Sequence, residues 1–235
     1  MKSPIILAVD TDNLDTAKSW VVSTTPYVGL FKLGLEFFIK FGIEGVAEIL
    51  KETDRKIFLD LKLHDIPNTV GSAALQVRSI NPEFLTVHAS GGPAMIEAAV
   101  KALPDTKITA VTILTSLDQS DLDAIGYMGT PSARASALAL LAVDAGAKAI
   151  VSSPHEIETI RAAIGSRALI ITPGVRPNFN SNPAQQPKRS DDQKRTMDPK
   201  SALSAGADYL VIGRPITESQ DVATAAKLIF EEALA

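Results

Sequence analysis

Short apolar runs rich in β-branched residues recur along the chain, and each is followed by a longer stretch with helical spacing. In the first of these stretches, Leu14, Ala17 and Val21 fall on one face of a helix. The predicted strands are Ile5–Val9, Gly29–Leu33, Ile57–Leu61, Phe84–Val87, Ile108–Leu114, Ala149–Val151, Ala168–Thr172 and Tyr209–Ile212. Strands that alternate with helices in this way predict parallel pairing through right-handed crossovers.

Eight strand–helix units predict an α/β fold, a single (β/α)8 TIM barrel that spans residues 1–235. The alternative is an open, doubly wound sheet. That fold carries a glycine fingerprint after its first strand, whereas here Val9 is followed by Asp10 and Thr11. Because no linker or short-period repeat divides the chain, we predict one domain.

Residues 174–197 do not follow the alternation of apolar strands and helices. They are rich in Pro, Asn, Gln and charged residues and poor in apolar residues. A compact domain rarely keeps so long a loop unless it is a lid, a binding loop or disordered. The segment ends at Asp198 and Pro199, a favourable N-cap and first-turn pair for the next helix. We therefore predict a mobile loop here, within the barrel domain.

Composition narrows the classes of protein that remain. The chain has 23 Lys and Arg against 27 Asp and Glu, a net charge of −4, which disfavours a general nucleic-acid binder. The absence of cysteine excludes disulfides, thiolate metal sites and cysteine nucleophiles. No apolar run approaches the roughly 20 residues that span a bilayer, and Ile5–Val9 is too short for a signal-peptide core. We predict a cytoplasmic protein that does not enter a membrane.

Two charged residues interrupt the third predicted strand. Because strand side chains alternate between faces, Asp60 and Lys62 share one face. The other face carries Leu59, Leu61 and Leu63, which suit packing against the helices. The charged pair then points into the barrel, where an unpaired charge would be costly. Taken alone, this segment fits either a buried structural salt bridge or a pair that faces a ligand at the C-terminal mouth, where active sites of this fold lie.

Three further strands carry titratable groups near their carboxyl ends. Asp10 ends the first strand, Lys32 interrupts the second, and His88 ends the fourth. Since the carboxyl ends of barrel strands meet at one mouth, these groups are expected to converge on Asp60 and Lys62. Such convergence favours a ligand site over a purely structural ion pair.

The last two strands point to a phosphate. Gly213 and Arg214 follow the eighth strand, and Gly174 and Arg176 follow the seventh. Glycine permits close backbone approach, and arginine offers a planar fork for phosphate oxygens. A single Gly-Arg pair is weak evidence because surface arginines are common. The loops after strands seven and eight, however, form the usual phosphate site of a TIM barrel, so the position favours a phosphorylated ligand.

Other polar residues are less specific. Thr115 and Ser116 follow the fifth strand, where their hydroxyls either orient a polar ring or cap the next helix. The three histidines, His64, His88 and His155, show no metal-ligand spacing, and His155 is interpreted as structural. We therefore predict no metal site.

The segment from Asp60 to Val70, DLKLHDIPNTV, resembles the signature of the orotidine 5′-phosphate decarboxylase family. Flanking motifs of that family follow in order along the whole chain: LAVD, FKLG, VHASGG, LTS, PGVRP, DDQ and IGRPI. The resemblance implies a TIM barrel that converts orotidine 5′-monophosphate (OMP) to UMP without a cofactor. It also implies a homodimer whose active sites lie at the subunit interface.

The same resemblance assigns roles in catalysis. It implies that Lys62 gives a proton to C6 of the pyrimidine and that Asp60 faces the substrate carboxylate. Asp65, with Ile66 and Thr69, is implied to act in the active site of the other subunit.

Further roles concern the rest of the nucleotide. Asp10 and Lys32 are implied to hold the ribose hydroxyls, and Lys32 also opens an alternating row of charges that includes Asp60, Lys62 and Asp65. The remaining implied contacts are Thr115 and Ser116 to the pyrimidine, Gln193, Gly213 and Arg214 to the phosphate, and Pro173 and Arg176 to the ligand. Gln193 is implied to lie on the mobile loop 174–197, which grips the phosphate.

Two alternative functions stay open. The first is a magnesium-dependent sugar-phosphate decarboxylase or hexulose-phosphate synthase of the same superfamily. Those enzymes share the D-x-K-x-x-D element but carry a carboxylate in the second strand, where this chain has Lys32. The second is a non-catalytic barrel that binds a phosphorylated ligand, which would not need a lysine flanked by aspartates in its lumen.

Overall fold

The computed structural model of the protein describes residues 3–177 and 196–235. Eight parallel strands form a closed barrel in chain order, and β1 pairs with β8. The strands are β1 Ile5–Ala8, β2 Leu30–Gly34, β3 Lys56–Leu63, β4 Phe84–His88, β5 Lys107–Val111, β6 Ala149–Val151, β7 Leu169–Thr172 and β8 Tyr209–Ile212. The predicted TIM barrel is confirmed, and the open sheet is excluded.

Helices cover the outside of the barrel. They are α1 Leu14–Thr24, α2 Leu35–Leu50, α3 Pro67–Gln76, α4 Pro93–Ala102, α5 Gln119–Ala124, α6 Pro131–Asp144, α7 Ile157–Ile164, α8 Pro199–Ser204, α9 Arg214–Thr217 and α10 Val222–Leu234. Within the described ranges, no helix is both long enough and apolar enough to cross a membrane.

Two helix starts bear on the sequence predictions. The side chain of Asp198 accepts a hydrogen bond from the backbone N–H of Ser201, so the predicted N-cap of α8 is confirmed. Asp118 caps α5, accepting from the backbone N–H groups of Ser120 and Asp121. The idea that Thr115 or Ser116 caps the next helix is therefore wrong, because α5 begins too far along the chain.

Strand residues divide between two apolar layers. Leu59 is fully buried between the sheet and the helices, and Leu61 and Leu63 pack against the same layer. The barrel interior holds the residues of the opposite face, which are Ile6, Ala8, Leu30, Phe58, Phe84, Ala149, Ile171 and Val211. The alternation predicted for the third strand is thus observed, with the leucines towards the helices.

The fifth strand is shorter than predicted. The sequence predicts a strand to Leu114, but β5 ends at Val111. The backbone N–H and the hydroxyl of Thr112 both bond to the carbonyl of Val151, at 3.2 and 3.1 Å. The N–H bond continues the parallel ladder, but the next donor of β6, the N–H of Ser153, bonds to the Glu156 carboxylate at 3.3 Å. Pairing with β6 therefore stops there, and Ile113 and Leu114 belong to the loop.

Candidate active site

The carboxyl ends of the strands surround a cavity of about 480 Å³, within the usual size range of small-molecule sites. Nine of the predicted site residues line it: Asp10, Lys32, Asp60, Lys62, Thr115, Pro173, Arg176, Gly213 and Arg214. Sequence reasoning missed the apolar lining of Ala8, Phe58, Val111, Ile113, Val151 and Val211, as well as Ser152 and Glu218. Most of the apolar group comes from inward strand positions that strand alternation alone could have identified.

Four charged side chains form one connected row. The Nζ of Lys62 lies 2.8 Å from Oδ1 of Asp60, and the Nζ of Lys32 lies 3.4 Å from Oδ2 of the same carboxylate. Lys32 also lies 3.1 Å from Oδ1 of Asp10. Opposite charges therefore alternate along the row, with Asp60 bridging the two lysines.

The pKa values of the two buried members reflect this arrangement. Burial by itself raises the pKa of Asp60, but the charges of Lys32 and Lys62, with hydrogen bonds from Lys62 and Thr86, outweigh it and hold that pKa below its usual value. Burial alone lowers the pKa of Lys32, but Asp60 and Asp10 outweigh it and raise that pKa above its usual value. Both groups are consequently ionised at neutral pH.

The backbone of β3 is irregular at this point. The β3–β4 register shifts between Leu59 and Leu63, and Lys62 has a φ of +49°, in the left-handed region. A residue other than glycine rarely adopts this conformation, which costs about 1–3 kcal/mol. The Lys62 backbone N–H donates to the hydroxyl of Thr86 at 2.8 Å, and that hydroxyl donates to Oδ1 of Asp60 at 3.0 Å. Thr86 is a residue that sequence reasoning missed, although its place two residues before His88 in the fourth strand predicts an inward side chain.

The histidines lie beside the row rather than in the lining of the cavity. The rings of His88 and His64 are 5.3 Å apart. Burial lowers the pKa of His88, and the charges of His64 and Lys62 lower it further against the opposing charge of Asp60. His155 is exposed and lies in a 3₁₀ turn, Pro154–Glu156, that leads into α7. Among the described residues, no group of three or more His, Asp or Glu is placed to hold a metal ion.

The loops after β7 and β8 also line the cavity. Arg176 follows β7, and Arg214 begins α9 directly after Gly213. A Cβ at Gly213 would lie 3.3 Å from the Cβ of Ala8, so a larger side chain would press against β1. The loops thus bring two arginine side chains and a close-packed backbone to the cavity that the charged row also lines.

Several predicted residues lie elsewhere. Ser116 is exposed and does not line the cavity. Asp65, Ile66 and Thr69 are also exposed and lie outside the cavity lining of their own chain. Within the described residues, Asp65 forms no ion pair and accepts a hydrogen bond at 2.6 Å from the backbone N–H of Ile66. Gln193, and with it residues 178–195 of the predicted loop, lies outside the described residues.

The closed barrel and the row of paired acidic and basic side chains at its C-terminal mouth define the class of protein, which is a TIM-barrel enzyme. The family model described as orotidine 5′-phosphate decarboxylase / HUMPS matches residues 3–229, and the chain belongs to this family.

Individual relatives agree with this placement. The chain is 46% identical to the orotidine 5′-phosphate decarboxylase of Thermobifida fusca, over 99% of this chain and 96% of that protein. It is 48% identical to the enzyme of the same name from Sphingopyxis alaskensis, over 97% and 98% of the two chains. Among solved structures, it is similar to orotidine 5′-phosphate decarboxylase from Lactobacillus acidophilus, with a TM-score of 0.83, 33% identity and full coverage of both chains.

Proposed function

We propose that this protein decarboxylates OMP to UMP and CO2 without a cofactor, the last step of de novo pyrimidine nucleotide synthesis. The observation that carries the proposal is the 2.8 Å contact between Lys62 and Asp60 inside the cavity. It is supported by the name that curated relatives share over nearly their full length. The cytoplasmic location stays a prediction from the sequence.

The reaction requires stabilisation of a localised carbanion. When the bond between C6 and the carboxylate breaks, CO2 leaves and the electron pair stays on C6, in the plane of the ring. The ring π-system cannot delocalise that pair, so a preorganised ammonium beside C6 is the effective source of stabilisation. The Nζ of Lys62 supplies this charge and then transfers its proton to C6, while Asp60 holds Lys62 in place.

The ground state contributes a second, smaller effect. Asp60 is ionised and faces the position of the substrate carboxylate, so repulsion raises the energy of the bound substrate relative to the transition state. Asp10 and Lys32 form the end of the row away from Lys62, and there they bind the ribose hydroxyls. One set of four charges thus orients the sugar and acts on the reacting carbon.

The phosphate is bound by the loops after β7 and β8. Arg214 and Arg176 offer guanidinium groups there, and Gly213 offers its backbone. The phosphate is remote from C6, so its binding energy can hold the ring against Lys62 rather than act on the bond that breaks. The contact of Gln193 with the phosphate stays a prediction from the sequence.

The proposed enzyme is a homodimer with shared active sites. Asp65 is the last member of the alternating charged row that the resemblance implies, yet it does not line the cavity of its own chain. Ile66 beside it is 66% exposed, so the same segment offers an apolar side chain next to the carboxylate. Both facts follow if a second copy covers this segment and receives Asp65, Ile66 and Thr69 in its site.

The magnesium-dependent alternative has one observation in its favour. The description of the matching family model also names HUMPS, the hexulose-phosphate synthases of this alternative. Against it, the second strand offers the cavity Lys32, which is ionised and already paired with Asp60 and Asp10. A metal ion at that position would meet a positive charge instead of a carboxylate ligand. Decarboxylation of OMP therefore fits the residues better.

The direct test is loss of pyrimidine absorbance when OMP is added to the purified protein in EDTA, with UMP identified by chromatography. We expect rapid conversion that EDTA does not slow. Turnover of a hexulose phosphate that requires magnesium would establish the first alternative instead. A folded protein that converts neither substrate would point to a binding barrel.

The substitution Arg214→Ala should mainly raise KM for OMP. Loss of charge-assisted hydrogen bonds to the phosphate is expected to lower kcat/KM about 10- to 200-fold. Phosphite dianion, added together with a nucleoside substrate that lacks the phosphate, should fail to activate the variant. Arg167→Ala is the matched control, because Arg167 pairs with Asp144 on the surface and does not line the cavity. An unchanged KM in Arg214→Ala would remove Arg214 from the phosphate site.

A further inference from the structure

Thr86 connects the two residues on which the proposed chemistry depends. It is fully buried at an inward position of β4, and it does not line the cavity. Its hydroxyl donates to Oδ1 of Asp60 at 3.0 Å and accepts from the backbone N–H of Lys62 at 2.8 Å. A single hydroxyl therefore joins the Asp60 carboxylate to the main chain of Lys62.

Both connections have a physical consequence. Oδ1 of Asp60 also accepts from the Nζ of Lys62 at 2.8 Å, so the hydroxyl and the ammonium converge on one oxygen. The direction of the Thr86 bond sets where that oxygen points, and hence where the ammonium sits. Oδ2 of the same carboxylate faces Lys32.

The backbone bond acts on the strained residue itself. Lys62 has a φ of +49° where the β3–β4 register shifts, and its N–H donates to the side chain of Thr86 in β4. A left-handed conformation at a residue other than glycine persists only where the surroundings over-determine it. The hydroxyl of Thr86 gives the backbone N–H of this strained residue a hydrogen-bond acceptor.

We propose that Thr86 is a positioning residue for the proton donor: it fixes the Asp60 carboxylate and the Lys62 backbone together, so that the ammonium stands at one place relative to C6. The inference rests on the proposed function, in which Lys62 protonates C6. Thr86 is buried behind the two charged residues and does not line the cavity. Its effect belongs to the chemical step, since small errors of placement in a preorganised site are costly in rate.

The test compares Thr86→Val, which keeps the shape and removes the hydroxyl, with Thr86→Ser, which keeps the hydroxyl. We expect Thr86→Val to lower kcat about 10- to 100-fold with KM within about threefold of the parent, and Thr86→Ser to recover most of the loss. Thr109→Val is the matched control. Thr109 is the β5 register partner of Thr86, equally buried, and its hydroxyl donates to the carbonyl of Lys107.

A kcat for Thr86→Val within twofold of the parent would overturn the inference. A Thr86→Ser variant no faster than Thr86→Val would do the same, because the role would then lie in the methyl group. If Thr86→Val did not accumulate as folded protein, Thr86→Cys would replace it. Its thiol is a poor hydrogen-bond partner of similar size, and the same fall in kcat is expected.

A second readout separates this role from simple packing and from the proposed function. The Thr86 hydroxyl lowers the pKa of Asp60, so its removal should move the carboxyl titration of Asp60, followed by NMR, to higher pH. The acid limb of the kcat/KM profile should shift in the same direction. If Lys62→Ala retained turnover, the proposed proton donor would fail, but the Asp60 titration would still decide the link to Thr86. An unshifted titration in Thr86→Val would overturn that link.

Discussion

Replacement of Lys62 by alanine is expected to reduce kcat for OMP by at least about 10⁴-fold, while the barrel still folds. The substitution removes both the positive charge beside C6 and the proton that C6 receives, and these effects act on the same step. Asp60 keeps Lys32 as an ionic partner at 3.4 Å and the hydroxyl of Thr86 as a donor. The carboxylate is thus not left alone in the barrel, and a native fold is expected.

The measurement is OMP turnover at high enzyme concentration, with binding of UMP and the far-UV spectrum as evidence of a folded site. Lys40→Ala serves as the control, because Lys40 pairs with Asp12 and does not line the cavity. Near-parent turnover by Lys62→Ala, with UMP as the product, would contradict the assignment of Lys62 as the proton donor.

Mixed dimers are expected to regain activity from two inactive variants. In a shared site, a subunit with Asp65→Ala still offers Lys62, and a subunit with Lys62→Ala still offers Asp65. A heterodimer of the two therefore contains one intact site and one site that lacks both groups. Random exchange of subunits in equal amounts should restore about a quarter of the parent activity, because half the dimers are mixed and each has one working site.

The experiment uses two differently tagged variants that are mixed, allowed to exchange and assayed with OMP. Each variant incubated with itself is the control and should stay inactive. If Asp65 served the site of its own chain, no mixture would recover activity. The proposed shared site would then be wrong, and Asp65 would have to reach Lys62 by a movement within one subunit.

The barrel and much of the candidate site could be predicted from the sequence, because strand alternation and the motifs that follow strands are local patterns. Alternation in β3 separates Asp60 and Lys62 from Leu59 and Leu61, and the structure places the two sets in different layers. Motifs that follow strands β7 and β8 placed Arg176 and Arg214 at the same mouth, since parallel strands all end on one side of the barrel.

Other features depended on the register between strands, which no single segment encodes. The hydroxyl of Thr86 meets Asp60 and Lys62 where the register of β3 against β4 shifts and the Lys62 backbone adopts the left-handed conformation. The end of β5 is likewise decided outside its own segment, where the N–H of Ser153 donates to the Glu156 carboxylate instead of to β5. The sequence by itself determined which residues face inward and at which end of the barrel they gather. The tertiary structure decided which oxygen meets which donor, because hydrogen bonds depend on ångström-level register across strands that lie far apart in the chain.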